Sequence, residues 1–169
     1  EAWHAALEAD NVSAFGGILI CNTSIDLSTA EEINKLFYEV LIAPDFSPEA
    51  LELLSKKKKR VLLKINNFNV KKTIFKTLLN GVVQQDGDLK TEIASDLTVA
   101  TVKAPTESEV IDLLFAAKCC KHLKSNTIVL ARENQLLGMG CGQTSRVDAL
   151  RQAIAKAKDF GFDLKGAAM

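Results

Sequence analysis

Gly138-Met139-Gly140-Cys141-Gly142-Gln143-Thr144-Ser145-Arg146-Val147-Asp148 is the stretch that decides how this chain is read. Three glycines at alternating positions strip the end of a strand of side chains, so a ligand or another backbone can come close. The helix expected after them turns unpaired N–H groups and a partial positive charge toward the gap. Arg146, in its first turn, adds a two-pronged donor suited to carboxylate or phosphate. Two readings stand side by side: an anion site, or a tight strand-to-helix junction or bulge that needs glycine only for space. The stretch has neither the lysine of a P-loop nor the third-glycine spacing of a dinucleotide fingerprint, which excludes both nucleotide motifs.

Working outward, Ser125 to Ala131 and Gln135 to Met139 read as strands around a turn at Glu133-Asn134, too close together for a crossover helix and therefore antiparallel. After Gly142 a helix is expected to about Phe160, with Ala149, Leu150, Ala153, Ile154 and Ala157 on its inner face. Asn126 stands at the mouth of the first strand. Its amide can offer both a donor and an acceptor to a ligand, or serve as an ordinary strand-edge asparagine. Upstream, Thr106 opens the longest amphipathic helix, through about Leu123, and Leu97 to Val102 reads as a strand ended by Pro105.

The first part of the chain alternates in the same way. A helix over Glu1 to about Asp10 is broken at Ser13-Ala14-Phe15-Gly16-Gly17, where the backbone must approach something or simply bend sharply. Ile18 to Cys21 reads as a strand, Thr29 to Tyr38 as a helix capped by Ser28, and Val40 to Ala43 as a strand stopped by Pro44. A third helix runs from Pro48 to about Leu54 with Ser47 as cap. Lys56 to Arg60 is a basic run read as a solvated helix end that complements the macrodipole, with a polyanion site as the competing reading. Val61 to Ile65 is a further strand, Thr73 to Gln85 a pair of strands turning at Gly81, and Gln84 to Thr91 a surface loop. Strands and helices in alternation predict a layered α/β fold.

Composition sets the outer bounds. At 169 residues, 47% hydrophobic and 25% charged, the chain can bury a core without disulfides or metal. Lys+Arg and Asp+Glu are both 21, so no net field draws it to a nucleic acid or an anionic membrane. Cys21, Cys119, Cys120 and Cys141 show no zinc spacing and read as reduced thiols. His4 and His122 have no triad partner nearby in sequence. No apolar run approaches the roughly 18 residues of a membrane span, and no secretory signal opens the chain, so the expected compartment is the cytoplasm. Glu1 starts inside an amphipathic pattern and Met169 follows an apolar run, so both ends are expected to continue in a longer polypeptide.

Five separated motifs carry a resemblance. Ser13-Ala14-Phe15-Gly16-Gly17, Glu39-Val40-Leu41-Ile42-Ala43-Pro44, Lys121-His122-Leu123-Lys124-Ser125-Asn126, the glycine-rich stretch 138–148 and Gly161-Phe162-Asp163-Leu164-Lys165-Gly166 are similar, in order and spacing, to the bifunctional purine biosynthesis family. That family couples AICAR transformylase to IMP cyclohydrolase, and the likeness is to its bacterial members. The resemblance implies part of a transformylase domain built of cytidine-deaminase-like α/β units, a mixed sheet flanked by helices, without their zinc. Residues 1–68 would end one unit and 69–169 begin a second, with no IMP cyclohydrolase domain present.

The implied reaction moves a formyl group from the co-substrate 10-formyltetrahydrofolate to the amine of AICAR. By motif, the backbone of Gly16, the carboxylate of Glu39, the amide of Asn126 and the guanidinium of Arg146 would contact AICAR, and Val147 would lie against the folate. Asn126 would orient the carboxamide or support the oxygen of the tetrahedral intermediate. The family's lysine-histidine pair is expected upstream of Glu1; Lys121-His122 belongs to a different motif. The resemblance further implies a homodimer that completes the site, a candidate monovalent cation site near Ser125, and little turnover by this segment alone. The competing readings are a binding or assembly module that keeps the fold without the chemistry, and a generic phosphate-binding domain.

Overall fold

Strands separated by helices have connections long enough to cross back over the sheet, as parallel pairing requires. The computed structural model, which describes residues 1–67 and 69–169, follows this rule in its first part. After helix α1 (Ala2–Glu8) come strand β1 (Gly17–Ile20), helix α2 (Leu27–Asn34), strand β2 (Tyr38–Ala43), helix α3 (Pro48–Ser55) and strand β3 (Val61–Lys64). The strands form a parallel sheet in the order β1-β2-β3. The packed helices α2 and α3 and one face of the sheet enclose a core that includes Ile33, Tyr38, Leu41 and Leu54. The opposite face leaves Ile18, Ile20, Val61 and Leu63 exposed.

Three local expectations are corrected here. Asp26, not Ser28, caps α2: its Oδ1 accepts the Thr29 N–H at 2.8 Å, and the Ser28 hydroxyl donates to the same carboxylate at 3.0 Å. The helix also ends at Asn34 rather than Tyr38, since Tyr38 already pairs with Gly17 in the sheet. The basic run does not simply face solvent. Lys57 Nζ and the Arg60 guanidinium donate to the main chain at the C-terminus of α2, where carbonyls lack helical partners.

Strands β4 (Thr73–Leu78) and β5 (Gly81–Asp86) form an exposed antiparallel hairpin, so the surface loop expected from Gln84 begins only after Asp86. The strand expected at 97–102 is absent. Beyond a short 3-10 turn (Ala94–Asp96) the chain stays irregular, while Ala168 pairs with Ala131 on the next sheet. A strand exists only where another edge takes its hydrogen bonds.

Helix α4 (Glu107–Lys121), strands β6 (Ile128–Arg132) and β7 (Gln135–Gly140), and helix α5 (Arg146–Asp159) complete the chain. Thr106 caps α4 through a reciprocal box with Glu109. The β6–β7 pair is antiparallel, with Ala116 of α4 against Val129 and Ala131 on one face and Ala153 of α5 against Leu130 and Leu137 on the other. The overall architecture is therefore mixed α/β. Its two parts meet at α1 and the turn after it: Gln135 Nε2 donates to Ala5 O at 3.1 Å and Glu8 Oε2 at 2.9 Å, and Lys156 pairs with Asp10 at 2.8 Å. The expected unit boundary between 68 and 69 falls at Phe68, outside the described residues.

At the β6–β7 turn, Glu133 and Asn134 adopt φ of 54° and 57°, as a two-residue type I′ hairpin loop requires. The buried Asp112 of α4 fastens the turn by accepting the Asn134 N–H at 3.1 Å. Asn134→Gly keeps that N–H and relieves the left-handed residue. It should raise stability by about 0.5–1 kcal/mol, read from the urea midpoint at unchanged slope.

The glycines on β7 are space for a helix. A Cβ on Gly138 would lie 2.3 Å from Ala153 O, and one on Gly140 1.9 Å from Ala149 O. Gly142 differs, with open space around it and φ of +67°. Gly140→Ala should therefore cost about 3 kcal/mol by forcing α5 off β7, and Gly142→Ala about 1–2 kcal/mol from backbone conformation alone. Urea unfolding of the two variants checks the order; equal losses would show that the helix yields.

Candidate functional site

The glycine-rich stretch becomes a site only at its end, where β7 gives way to α5. Ser145 caps α5: its Oγ accepts the Asp148 N–H at 3.1 Å and donates to Asp148 Oδ2 at 2.6 Å. That hydroxyl, with Arg151 beside it, holds the Asp148 carboxyl below the usual carboxylate range. Asp148 is thus committed to the cap. Arg146 and Val147, the first two residues of the helix, are exposed. Among the described residues, no hydrogen bond or ion pair engages the Arg146 guanidinium.

Asn126 is stitched to the same turn. Its Nδ2 donates to Gln143 O and to Thr144 O, each at 3.1 Å, and its own N–H donates to Gln143 O at 3.1 Å. The Gln143 N–H donates back to Asn126 O at 3.3 Å, and the peptide before Asn126 is cis. Two carbonyls on one side of the amide identify that side as NH₂, so the oxygen Oδ1 is the end left for other partners. Asn126 and Arg146 are therefore brought together, on either side of one short loop.

The supports of this loop escaped the sequence reading. Gln152 Oε1, one turn beyond Asp148 on α5, accepts the Cys141 N–H at 3.0 Å and Gln143 Nε2 at 3.2 Å. Thr127 Oγ1 donates to Gly140 O at 2.9 Å. Ser145-x-x-Asp148 was the available signal for the cap; nothing local marks Gln152, because its partners lie on another element. Lys121 donates to Lys90 O and pairs with Asp88 at 3.7 Å, while His122 ends α4. Burial pushes the Cys21 and Cys119 thiols up.

Gly16 and Glu39 form a second cluster. Gly16, at φ 75°, donates its N–H to Phe37 O at 2.9 Å, and the Phe15 and Phe37 rings stand 5.0 Å apart. Gly17 pairs with Tyr38 and Ile18 with Val40, so Glu39 falls in the register shift between them, exposed. The structure thus joins Gly16 to Glu39 and Asn126 to Arg146. Among the described residues, no hydrogen bond or ion pair links the two clusters. The contacts between the halves lie at Gln135 and Lys156, and Lys156 is ten residues along α5 from Arg146, about 15 Å at helical rise.

Comparison with known proteins supplies the remaining observation. A family model described as the AICARFT/IMPCHase bienzyme matches residues 1–156. A bifunctional purine biosynthesis protein PurH of Bacteroides thetaiotaomicron is 59% identical over 169 residues, covering 100% of this chain and 33% of that protein. Proteins of the same name from Aquifex aeolicus and Persephonella marina are 48% and 42% identical, over 99% and 100% of this chain and 32% and 33% of theirs. The chain spans about a third of the length of the curated relatives it matches. With the family model matching nearly all of it, the chain belongs to the AICARFT/IMPCHase bienzyme family.

Proposed function

We propose that this chain supplies two parts of the site at which a formyl group passes from 10-formyltetrahydrofolate to the 5-amino group of AICAR. The observation that carries the reading is the loop that sets Asn126 beside the open mouth of α5, next to the unengaged Arg146. In the transfer the amine nitrogen bonds to the formyl carbon, the bond from that carbon to folate nitrogen breaks, and the proton lost by the amine ends on the leaving nitrogen. A weakly nucleophilic aromatic amine gains most from being held in place. Arg146 and the first N–H groups of α5 suit the anionic end of AICAR. The exposed Val147 gives the folate an apolar surface. Of the two roles expected for Asn126, positioning fits better, since both amide hydrogens are spent on main-chain carbonyls.

Gly16 and Glu39 contact AICAR from the other cluster. Because no hydrogen bond or ion pair joins the clusters among the described residues, we assign them to one site shared by two copies in a homodimer, each copy giving its Gly16 cluster to one site and its Asn126 cluster to the other. The helix-sheet-helix stack of α4, β6–β7 and α5 supports the cytidine-deaminase-like reading of the fold. The kinship with proteins named for purine biosynthesis supports the cytoplasm as compartment.

In a complete family polypeptide carrying this segment, Arg146→Ala should lower kcat/KM for AICAR at least about tenfold, the loss of a hydrogen bond to a charged group, with IMP cyclohydrolase activity unchanged. Equal formyl transfer by the variant would sink the reading. Sharing between copies has its own test. Mixing and re-forming dimers from inactive Glu39→Ala and Asn126→Ala polypeptides should restore about a quarter of the activity, since half the dimers are hybrids with one intact site of two. No recovery would place each site within one chain.

A further inference from the structure

The basic run Lys56 to Arg60 is absorbed by neither cluster, and its last residue is the most constrained cation in the chain. Arg60 is 9% exposed. Its Nη1 donates to Asn34 Oδ1 at 2.6 Å, and its Nη2 to Leu36 O at 2.8 Å and Asn34 O at 3.4 Å. The guanidinium carbon sits 4.0 Å from the centre of the Tyr38 ring. One planar group therefore fixes the end of α2, the turn after it and the first residue of β2. A lysine ammonium lacks the fork and the flat face for this. The next links in the same backbone are the Phe37 carbonyl, which takes the Gly16 N–H at 2.9 Å, and Glu39, which follows Tyr38 directly.

We infer that Arg60 is a positioning residue for the AICAR half-site formed by Gly16 and Glu39. It touches no substrate. It holds residues 34–38 in one conformation, and that conformation sets where the Gly16 main chain and the Glu39 carboxylate stand. The opposite view, that Arg60 merely ends a helix, needs only the Asn34 contacts; it gives no reason for the bond to Leu36 O or the stack on Tyr38. The inference rests on the proposed placement of AICAR at Gly16 and Glu39.

The test uses a complete family polypeptide with four single substitutions. Arg60→Met keeps bulk and loses charge and fork, Arg60→Lys keeps charge alone, Lys59→Met removes a neighbouring exposed charge, and Glu39→Gln tests the placement itself. Arg60→Met should raise KM for AICAR about tenfold, as a small misplacement does, with KM for the folate unchanged. Arg60→Lys should fall between it and the parent, and Lys59→Met should match the parent. If Arg60→Met does not fold, the Arg60→Lys rise in KM carries the same decision. A lower melting temperature with both KM values unmoved in the Arg60 variants, while Glu39→Gln raises KM for AICAR, overturns the inference alone. An unmoved KM for AICAR in Glu39→Gln overturns it together with the reading beneath it.

Discussion

The second half of the molecule depends on how closely one helix can lie on one strand. Hydrogens at Gly138 and Gly140 let the α5 main chain at Ala149 and Ala153 come where any larger group would collide. The small stripe Ala149, Ala153 and Ala157 is fully buried as a result. Close packing of this kind is rigid, because a gap or a clash is felt at the scale of one methyl group. It fixes the height and tilt of α5 over the sheet, and through Ser145 it fixes where the helix opens. Loop 141–145, Asn126 and Arg146 inherit their places from that contact.

The first half reaches the same end by different means. Its sheet is parallel, its helices are short, and the segment before β2 is held by a guanidinium rather than by close-packed backbone. Among the described residues, Tyr38 Oη and Arg60 Nε are both buried without a partner, so the arrangement carries a cost in unmet hydrogen bonds. Apolar replacements of similar shape often hold a fold as well as a buried charge does. The contacts of the guanidinium with Leu36 O and the Tyr38 ring fit a demand on geometry more than one on stability.

Much of this was legible in the residues. The alternation of elements, the caps Ser47 and Thr106, the turn at Glu133-Asn134 and the buried face of α5 all follow from local chemistry or from periodicity, and the structure has them. The misses share a cause. Leu97 to Val102 has strand-like residues but no edge to pair with, and the end of α2 is set by the pairing of Tyr38 with Gly17 on another element. Gly138 and Gly140 were ambiguous for the same reason: only the position of α5 tells which neighbour fills the space they leave. Nothing near Arg60 in sequence distinguishes it from the four lysines before it.

The side-chain amide at position 126 has one further consequence. With both hydrogens given to carbonyls, the amide atom left for other partners carries only lone pairs. A carboxylate, a phosphate or a bare carbonyl pressed against it would meet electrons with electrons. A group bearing hydrogen on nitrogen would not. Under the proposed placement, such an atom would favour a ligand's N–H over the anions suited to the neighbouring helix mouth, and so give whatever settles there a head and a tail.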